Sequence, residues 1–267
     1  MPIANARMYS VTPAGKDDWK TVLGWALDRA QLDWPLVDHD APAPLAALWS
    51  RSDLGAAMMC GLPYAQREPR PTLVAAPLPS PARYRGRPVY FTDIVVATAS
   101  PYRTLADTFG GVVGYTLADS MSGGVALRDH LERHRSAARP RLYRASVGGL
   151  VNARGVIEAL TTGAIDVGPL DSYCHDLLRR NDAEFAAQVR TVASTGALPI
   201  PPIVATAAVT SAELARLRAA LQSVHHAAEL VDPMARLLLS GFGVPDPADY
   251  DLLAQIARCD ATPFEEL

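Results

Sequence analysis

The residues best suited to chemistry in this chain stand together in Asp119-Ser120-Met121-Ser122-Gly123-Gly124. The run Gly111 to Thr116 before them has strand character, and Val125 to Leu131 after them has helix character. A helix that opens at such a turn leaves its first backbone N–H groups without intrahelical partners. Its dipole adds partial positive charge at the same end. Ser120 and Ser122 supply hydroxyl donors, and Gly123 and Gly124 let the backbone come close to a ligand. The expected guest is an oxyanion: phosphate, phosphonate, sulfate or carboxylate. The competing use of the same residues is capping, in which a serine satisfies only its own helix.

Other constellations are poorer. His130 and His134 are four apart, but Leu131-Glu132-Arg133 lies between them and no third ligand is evident, so no metal is expected. His225-His226 reads as surface or as a contact to the other lobe. Arg128, Arg133, Arg135, Arg139, Arg141 and Arg144, interleaved with Asp129 and Glu132, read as a solvated face that could also steer an anion. Asp38-His39-Asp40 resembles a charge-relay fragment, yet the chain has no Gly-x-Ser-x-Gly elbow, no P-loop and no Gly-x-Gly-x-x-Gly turn. Cys60, Cys174 and Cys259 are far apart with no Cys-x-x-Cys pair, and all three read as buried structural thiols. No cofactor is implied.

With 267 residues, 49% hydrophobic and 20% charged, the composition is that of a globular protein with a sizeable core. The net charge of −3 excludes a basic nucleic-acid-binding surface as the main theme. No run reaches the ~18 apolar residues of a membrane span. Met1-Pro2-Ile3-Ala4-Asn5 lacks the basic start and apolar stretch of a signal peptide. The chain as given therefore reads as cytoplasmic, or as periplasmic if a signal peptide was removed or missed.

The elements that must position the turn alternate. Strands are expected at 4–9, 34–37 and 54–60, with helices at 17–30 and 44–51, a βαβαβ pattern that implies a parallel sheet. Residues 77–88 read as a connecting loop and 89–98 as a long strand, followed by a short helix at 105–109. A second βαβαβ pattern follows: strand 112–116, the serine turn, helix 124–134, strand 142–147, helix 152–161 and strand 164–170. Residues 173–180 and 183–190 are expected to be helical. Leu198 to Thr206 reads as an extended crossing back. In the tail, Thr210 and Glu213 form a capping box. Asp232-Pro233 opens a helix ended by Gly241 and Gly243, and Asp246-Pro247 opens a last helix to Cys259. The expectation is two α/β lobes, lobe 1 from 1–92 and 205–267 and an inserted lobe 2 from 93–204, with a hinge and an interlobe cleft as ligand site.

Several segments in this order resemble the phosphate/phosphonate-type substrate-binding proteins of ABC transporters. They are Met59-Cys60-Gly61-Leu62-Pro63-Tyr64, Pro88-Val89-Tyr90-Phe91-Thr92-Asp93, Ser120-Met121-Ser122-Gly123, Gly163 to Ser172, and Thr195 to Pro201. The resemblance implies a type II periplasmic-binding-protein fold of two Rossmann-like lobes. It implies ligand contacts from Ser120, Ser122, Gly123 and Gly124, from Tyr64, Tyr90 and Thr92 of the first lobe, and from Asp171. The chain departs from the family at Met121, where many members have a third hydroxyl. It also departs at Leu150-Val151-Asn152, where many have a histidine; Asn152 can still donate a hydrogen bond.

Asp171 would repel a fully ionised anion but accept from a protonated oxygen or a ligand ammonium, which disfavours sulfate. The expected function is that of a solute-binding protein for a small oxyanion, closing about a hinge and handing its cargo to an ABC permease. The alternatives are a cytoplasmic enzyme on the same fold, of the lyase, thiamine- or menaquinone-pathway kind, with Asp171 or Asp93 as base, or a cytosolic ligand sensor.

Overall fold

A computed structural model describes residues 1–40, 43–258 and 262–267. Its strands are β1 (Ile3–Asn5), β2 (Leu54–Met58), β3 (Thr72–Pro79), β4 (Val89–Tyr90), β5 (Thr92–Ala97), β6 (Val112–Gly114), β7 (Ala145–Val147), β8 (Gly168–Asp171), β9 (Val189–Ser194), β10 (Leu198–Pro199), β11 (Ile203–Ala205) and β12 (Leu239–Gly243). Its α-helices are α1 (Pro13–Arg29), α2 (Leu45–Trp49), α3 (Gly61–Gln66), α4 (Ala126–Glu132), α5 (Ala153–Thr161), α6 (Ser172–Asn181), α7 (Ala183–Ala186), α8 (Ser211–Gln222), α9 (Val231–Arg236) and α10 (Asp251–Arg258). The chain divides into two compact units. Unit 1 comprises Met1–Val89 and Pro199–Asp251, and unit 2 comprises Tyr90–Leu198 and Leu252–Leu267.

Unit 1 is a mixed sheet in the order β1-β2-β11-β3-β12. β1 and β2 are parallel, and β11 and β12 run antiparallel to their neighbours. Helix α1 starts four residues earlier than the apolar spacing suggests, because the Thr12 hydroxyl accepts from the Gly15 amide at 3.0 Å and Pro13 opens the first turn. It buries Trp19, Val22, Leu23, Ala26 and Leu27 on one face, as their spacing requires. Thr210 and Glu213 form the expected capping box at the start of α8.

Three expectations in unit 1 fail. Residues 34–37 contribute a single bridge, Leu36 to Ala4, in place of a strand. Residues 77–79, expected in a loop, complete β3, where Pro77 and Pro79 pair with Phe242 and Leu239 at an irregular stretch of the ladder. A proline is tolerated there because no regular donor is required of it. Gly241 and Gly243 belong to the strand β12 and do not end a helix; α9 stops at Arg236, and Gly241 takes φ +152° at the irregularity.

In unit 2, β6 and β7 pair in parallel, and Val113 bridges in parallel to Val167, just ahead of β8. β8 and β9 flank β5 antiparallel. The strands form a three-stranded sheet β8-β5-β9 and a two-stranded sheet β6-β7, joined by that single bridge. β9 replaces the second half of the helix expected at 183–190; after α7 the run Val189 to Val192 is β-branched at three of its four positions save Arg190. The strand expected over 89–98 is broken at Phe91 into β4 and β5.

The C-terminal residues, expected in lobe 1, lie in unit 2. Phe264 and Leu267 are buried in a core with Ile94, Val113, Leu127 and Leu131. The Leu267 carbonyl accepts from the Tyr143 amide at 2.8 Å and from the Leu142 amide. Phe264 stacks on Tyr115 with ring centroids 4.1 Å apart. Two apolar residues in a short tail have no periodicity to read, so only packing reveals them. Cys60 and Cys174 are half-buried and not fully enclosed. Burial still pushes the Cys174 thiol up. Cys259 lies outside the described residues.

Candidate functional site

The parallel strands of unit 2 each lead from their carboxyl ends into a helix. β6 leads to the serine turn and α4, β7 leads to α5, and β8 leads directly to α6. Because β5 is antiparallel, its first residue lies at the same edge, with Thr92 paired to Asp171. In open α/β sheets this edge is where ligands bind. The topology thus sets Thr92, Ser120, Ser122, Gly123, Gly124, Asn152 and Asp171 at the same end of the bridged strands of unit 2.

Three of these residues cap the three helices. The Ser120 hydroxyl accepts from the Gly123 amide at 3.3 Å. The Asn152 carbonyl oxygen accepts from the Gly155 amide at 3.1 Å. Asp171 Oδ1 accepts from the Tyr173 and Cys174 amides at 2.9 and 3.1 Å. Capping uses acceptor lone pairs, so a serine hydroxyl or an asparagine amide that caps keeps its own hydrogens to donate. Capping and ligand contact are therefore compatible at Ser120 and Asn152.

The serine turn is wider than an α-helical start. The Val125 amide donates to the Ser120 carbonyl at 2.9 Å and the Ala126 amide to the Met121 carbonyl, both five residues back. Such wide turns recur at functional sites. The Met121 and Ser122 amides head it with no partner among the described residues. Both glycines are sterically required: a Cβ on Gly123 would stand 1.8 Å from Thr116 Oγ1, and one on Gly124 would stand 2.3 Å from the Leu117 carbonyl oxygen. The Thr92 hydroxyl donates to the Ser122 carbonyl at 3.0 Å, and the Thr92 amide donates to Thr195 Oγ1 at 3.0 Å. Thr92 thus braces the turn from β5. Met121 is fully buried, so its side chain serves the core of unit 2.

The two tyrosines of the sequence reading differ from the polar set. Tyr64, on α3 of unit 1, is 1% exposed, with its ring edge-on to Tyr250 at 4.9 Å and Arg70 5.9 Å from its centroid. Burial pushes its hydroxyl up against the pull of Arg70. Tyr90 is equally buried.

Three features escaped the sequence reading. Val151 has φ +65° and is 68% exposed, directly before the α5 cap. Tyr9 has φ +62°, beyond the carboxyl end of β1 in unit 1. For a β-branched or bulky residue this backbone region is strained, and such strain concentrates at functional sites. The third is a fully buried pair, Asp93 and His175, with Nδ1 of His175 3.0 Å from Oδ2 of Asp93 and the Ser194 hydroxyl donating to Oδ1 at 2.7 Å. Composition carries no signal for a cross-element pair of this kind.

His130 and His134 are neighbours with ring centroids 5.4 Å apart, and no group of three or more metal-ligating side chains occurs among the described residues. Arg133 and Arg135 are held by Asp129 and Glu132 at 2.6 and 2.7 Å. Among the described residues no helix is long and apolar enough to cross a membrane.

The family model for the periplasmic substrate-binding proteins of phosphonate ABC transporters matches residues 51–250. The chain belongs to that family. Among solved structures, a binding protein component of an ABC phosphonate transporter from Pseudomonas aeruginosa superposes with TM-score 0.75 at 15% identity, over 96% of this chain and 85% of that one. PhnD1 from Prochlorococcus marinus, in complex with methylphosphonate, gives 0.70 at 12% identity, over 97% of each chain. A Xanthomonas citri protein bound to ATP gives 0.64 at 20% identity, over 96% of this chain and 95% of that one. At these identities the likeness shows the fold, a type II periplasmic-binding-protein architecture. No curated protein matches by sequence. As a phosphonate-family substrate-binding protein, the chain is a transport component, and the enzyme alternative is not favoured.

Proposed function

We propose that the substrate-binding protein holds a small phosphonate or phosphate through the carboxyl end of the bridged strands of unit 2. The observation that carries this is the serine turn, with two unpartnered amides at its head, the Ser120 and Ser122 hydroxyls beside them, and two glycines that admit no side chain. Amides and hydroxyls can coordinate a dehydrated oxyanion without a fixed cation. Asn152 adds an amide donor from α5. Asp171 accepts from a protonated ligand oxygen or an ammonium, which selects a monoprotonated phosphonate or phosphate over sulfate. Tyr90, in the same unit, is proposed as an aromatic wall. The methylphosphonate in the Prochlorococcus protein supports this ligand class. The natural setting proposed is the periplasm, with an ABC permease as partner.

Calorimetric titration with methylphosphonate, phosphate, sulfate and ATP tests the reading. Methylphosphonate or phosphate should bind, sulfate should bind at least about tenfold more weakly, and Ser122→Ala should weaken the bound anion by about tenfold, the scale of one hydrogen bond to a charged group. Binding of ATP in preference to the small anions would replace this ligand class with a nucleotide. Absence of binding and of any thermal shift with all four would refute the site.

A further inference from the structure

Two large apolar side chains stand exposed on the loops of unit 2 that carry the oxyanion donors. Leu117 is 50% exposed and Val151 is 68% exposed. Single exposed hydrophobics need no explanation, but these two belong to one place. Their loops follow the parallel pair β6 and β7 and are joined to each other. The Tyr115 amide donates to the Val147 carbonyl at 3.0 Å, and the Leu150 amide donates to the Tyr115 carbonyl at 3.4 Å. Leu117 opens the serine turn, its carbonyl accepting from the Ser120 amide at 3.1 Å. Val151 directly precedes Asn152, whose side-chain oxygen caps α5 and whose amide hydrogens remain to donate. Each apolar residue is thus within three positions of a group proposed to hold the anion.

The backbone singles out Val151. It has φ +65°, and the Asn152 amide donates across it to the Leu150 carbonyl at 2.7 Å, which makes it the centre of a three-residue turn of the rare, strained kind. Gln31, Arg85 and Leu238 also have positive φ, but each stands at or just past a helical end, where that conformation ordinarily closes the helix. Val151 stands before a helix and closes nothing. Glycine or asparagine would take the same turn more freely, so the turn does not account for a valine. Packing does not account for it either, since most of the residue is in solvent. A strained residue beside a binding group fits a ligand contact. The contact that valine and leucine side chains offer is apolar, and an apolar substituent gains by leaving water against them.

We propose that Val151 and Leu117 are specificity-determining residues that receive the substituent of a phosphonate whose phosphoryl group lies on the serine turn. The ligand class they select is an alkylphosphonate, in preference to inorganic phosphate, which has no apolar part. The inference deepens the ligand reading given under Proposed function and rests on it.

The test is calorimetric titration with phosphate, methylphosphonate, ethylphosphonate and butylphosphonate, in the wild type and in Val151→Asn, Leu117→Asn and Val231→Asn. Val231 is a valine on α9 of unit 1, 63% exposed, and serves as the control. Wild-type affinity should rise about twofold to fourfold with each added methylene. Val151→Asn suits the positive φ, so it should melt no lower than wild type, yet it should lower the butylphosphonate-to-phosphate affinity ratio by about tenfold. Leu117→Asn should lower the same ratio, and Val231→Asn should leave it as it is. If Leu117→Asn does not fold, Val151→Asn decides the question. A wild type that binds methylphosphonate but gains nothing with chain length overturns this inference alone. So does a Val151→Asn protein with the wild-type ratio, or one that loses phosphate and butylphosphonate equally. A wild type that binds none of the four overturns the ligand reading and this inference with it.

Discussion

Gly124→Ala is the sharpest probe of the serine turn. Its Cβ would stand 2.3 Å from the Leu117 carbonyl oxygen and 2.9 Å from that of Ala118, against an ordinary contact of 3.4 Å or more. Both obstacles are backbone, so no rotamer relieves them, and the 117–118 segment must move by about 1 Å. That segment accepts the Ser120 amide at 3.1 Å through the Leu117 carbonyl, and Thr116 beside it donates to Gly123 at 3.0 Å. Overpacking of this kind costs about 1–3 kcal/mol, and one lost hydrogen bond about 1 kcal/mol more. The melting temperature should fall by roughly 4–16 °C. Displacing the Met121 and Ser122 amides should weaken methylphosphonate by at least about tenfold. Gly163→Ala is the control: φ is +74° with open space around the Cβ, so it should cost about 1–2 kcal/mol in backbone strain and leave affinity unchanged. Calorimetry and differential scanning on both variants suffice. A Gly124→Ala protein that melts early but binds like wild type would refute the turn as the anion site; one that melts like wild type would refute the packing argument.

Other outcomes follow from single contacts. Phe264→Ala should destabilise unit 2 by about 3–5 kcal/mol, visible as faster hydrogen exchange at the Tyr143 amide, because Phe264 is buried in that unit's core; unchanged exchange would disprove the seating of the tail. Thr210→Ala removes the capping box of α8 and should cost about 0.5–2 kcal/mol in chemical denaturation, with no effect on ligand affinity. Hydrogen bonds from Lys16 first and Lys20 second hold the Asp38 carboxyl down at about 2. Since its folded value is depressed, the contribution of Asp38 to stability is present above the ordinary value of 3.8 and is lost as pH falls through about 2. A carboxyl NMR titration should show this, and replacing both lysines with Met should return Asp38 toward 3.8; a double variant that still titrates near 2 would contradict it.

The sequence alone determined the features that depend on near neighbours in the chain. The Thr210–Glu213 box, the apolar face of α1 and the Ser-Gly turn are each written within about a dozen residues, because capping, helical periodicity and tight turns are local physics. The alternation of strands and helices carried the two-unit α/β expectation, the serine turn the oxyanion expectation, and the order of family-like segments the family. Tertiary structure decided what depends on partners far apart in sequence. β3 and β12 were missed because Pro77, Pro79, Gly241 and Gly243 are local breakers that a ladder accommodates only when its neighbour is in place. The tail joined unit 2 because Phe264 and Leu267 find a core built by other strands. Ser120, Asn152 and Asp171 look like three unrelated caps along the chain; parallel pairing of β6 with its neighbours brings them to one end. The Asp93–His175 pair spans 82 residues. No spacing rule reaches that far, because a buried carboxylate and an imidazole are compatible only after the surrounding strands and helix have excluded water from both.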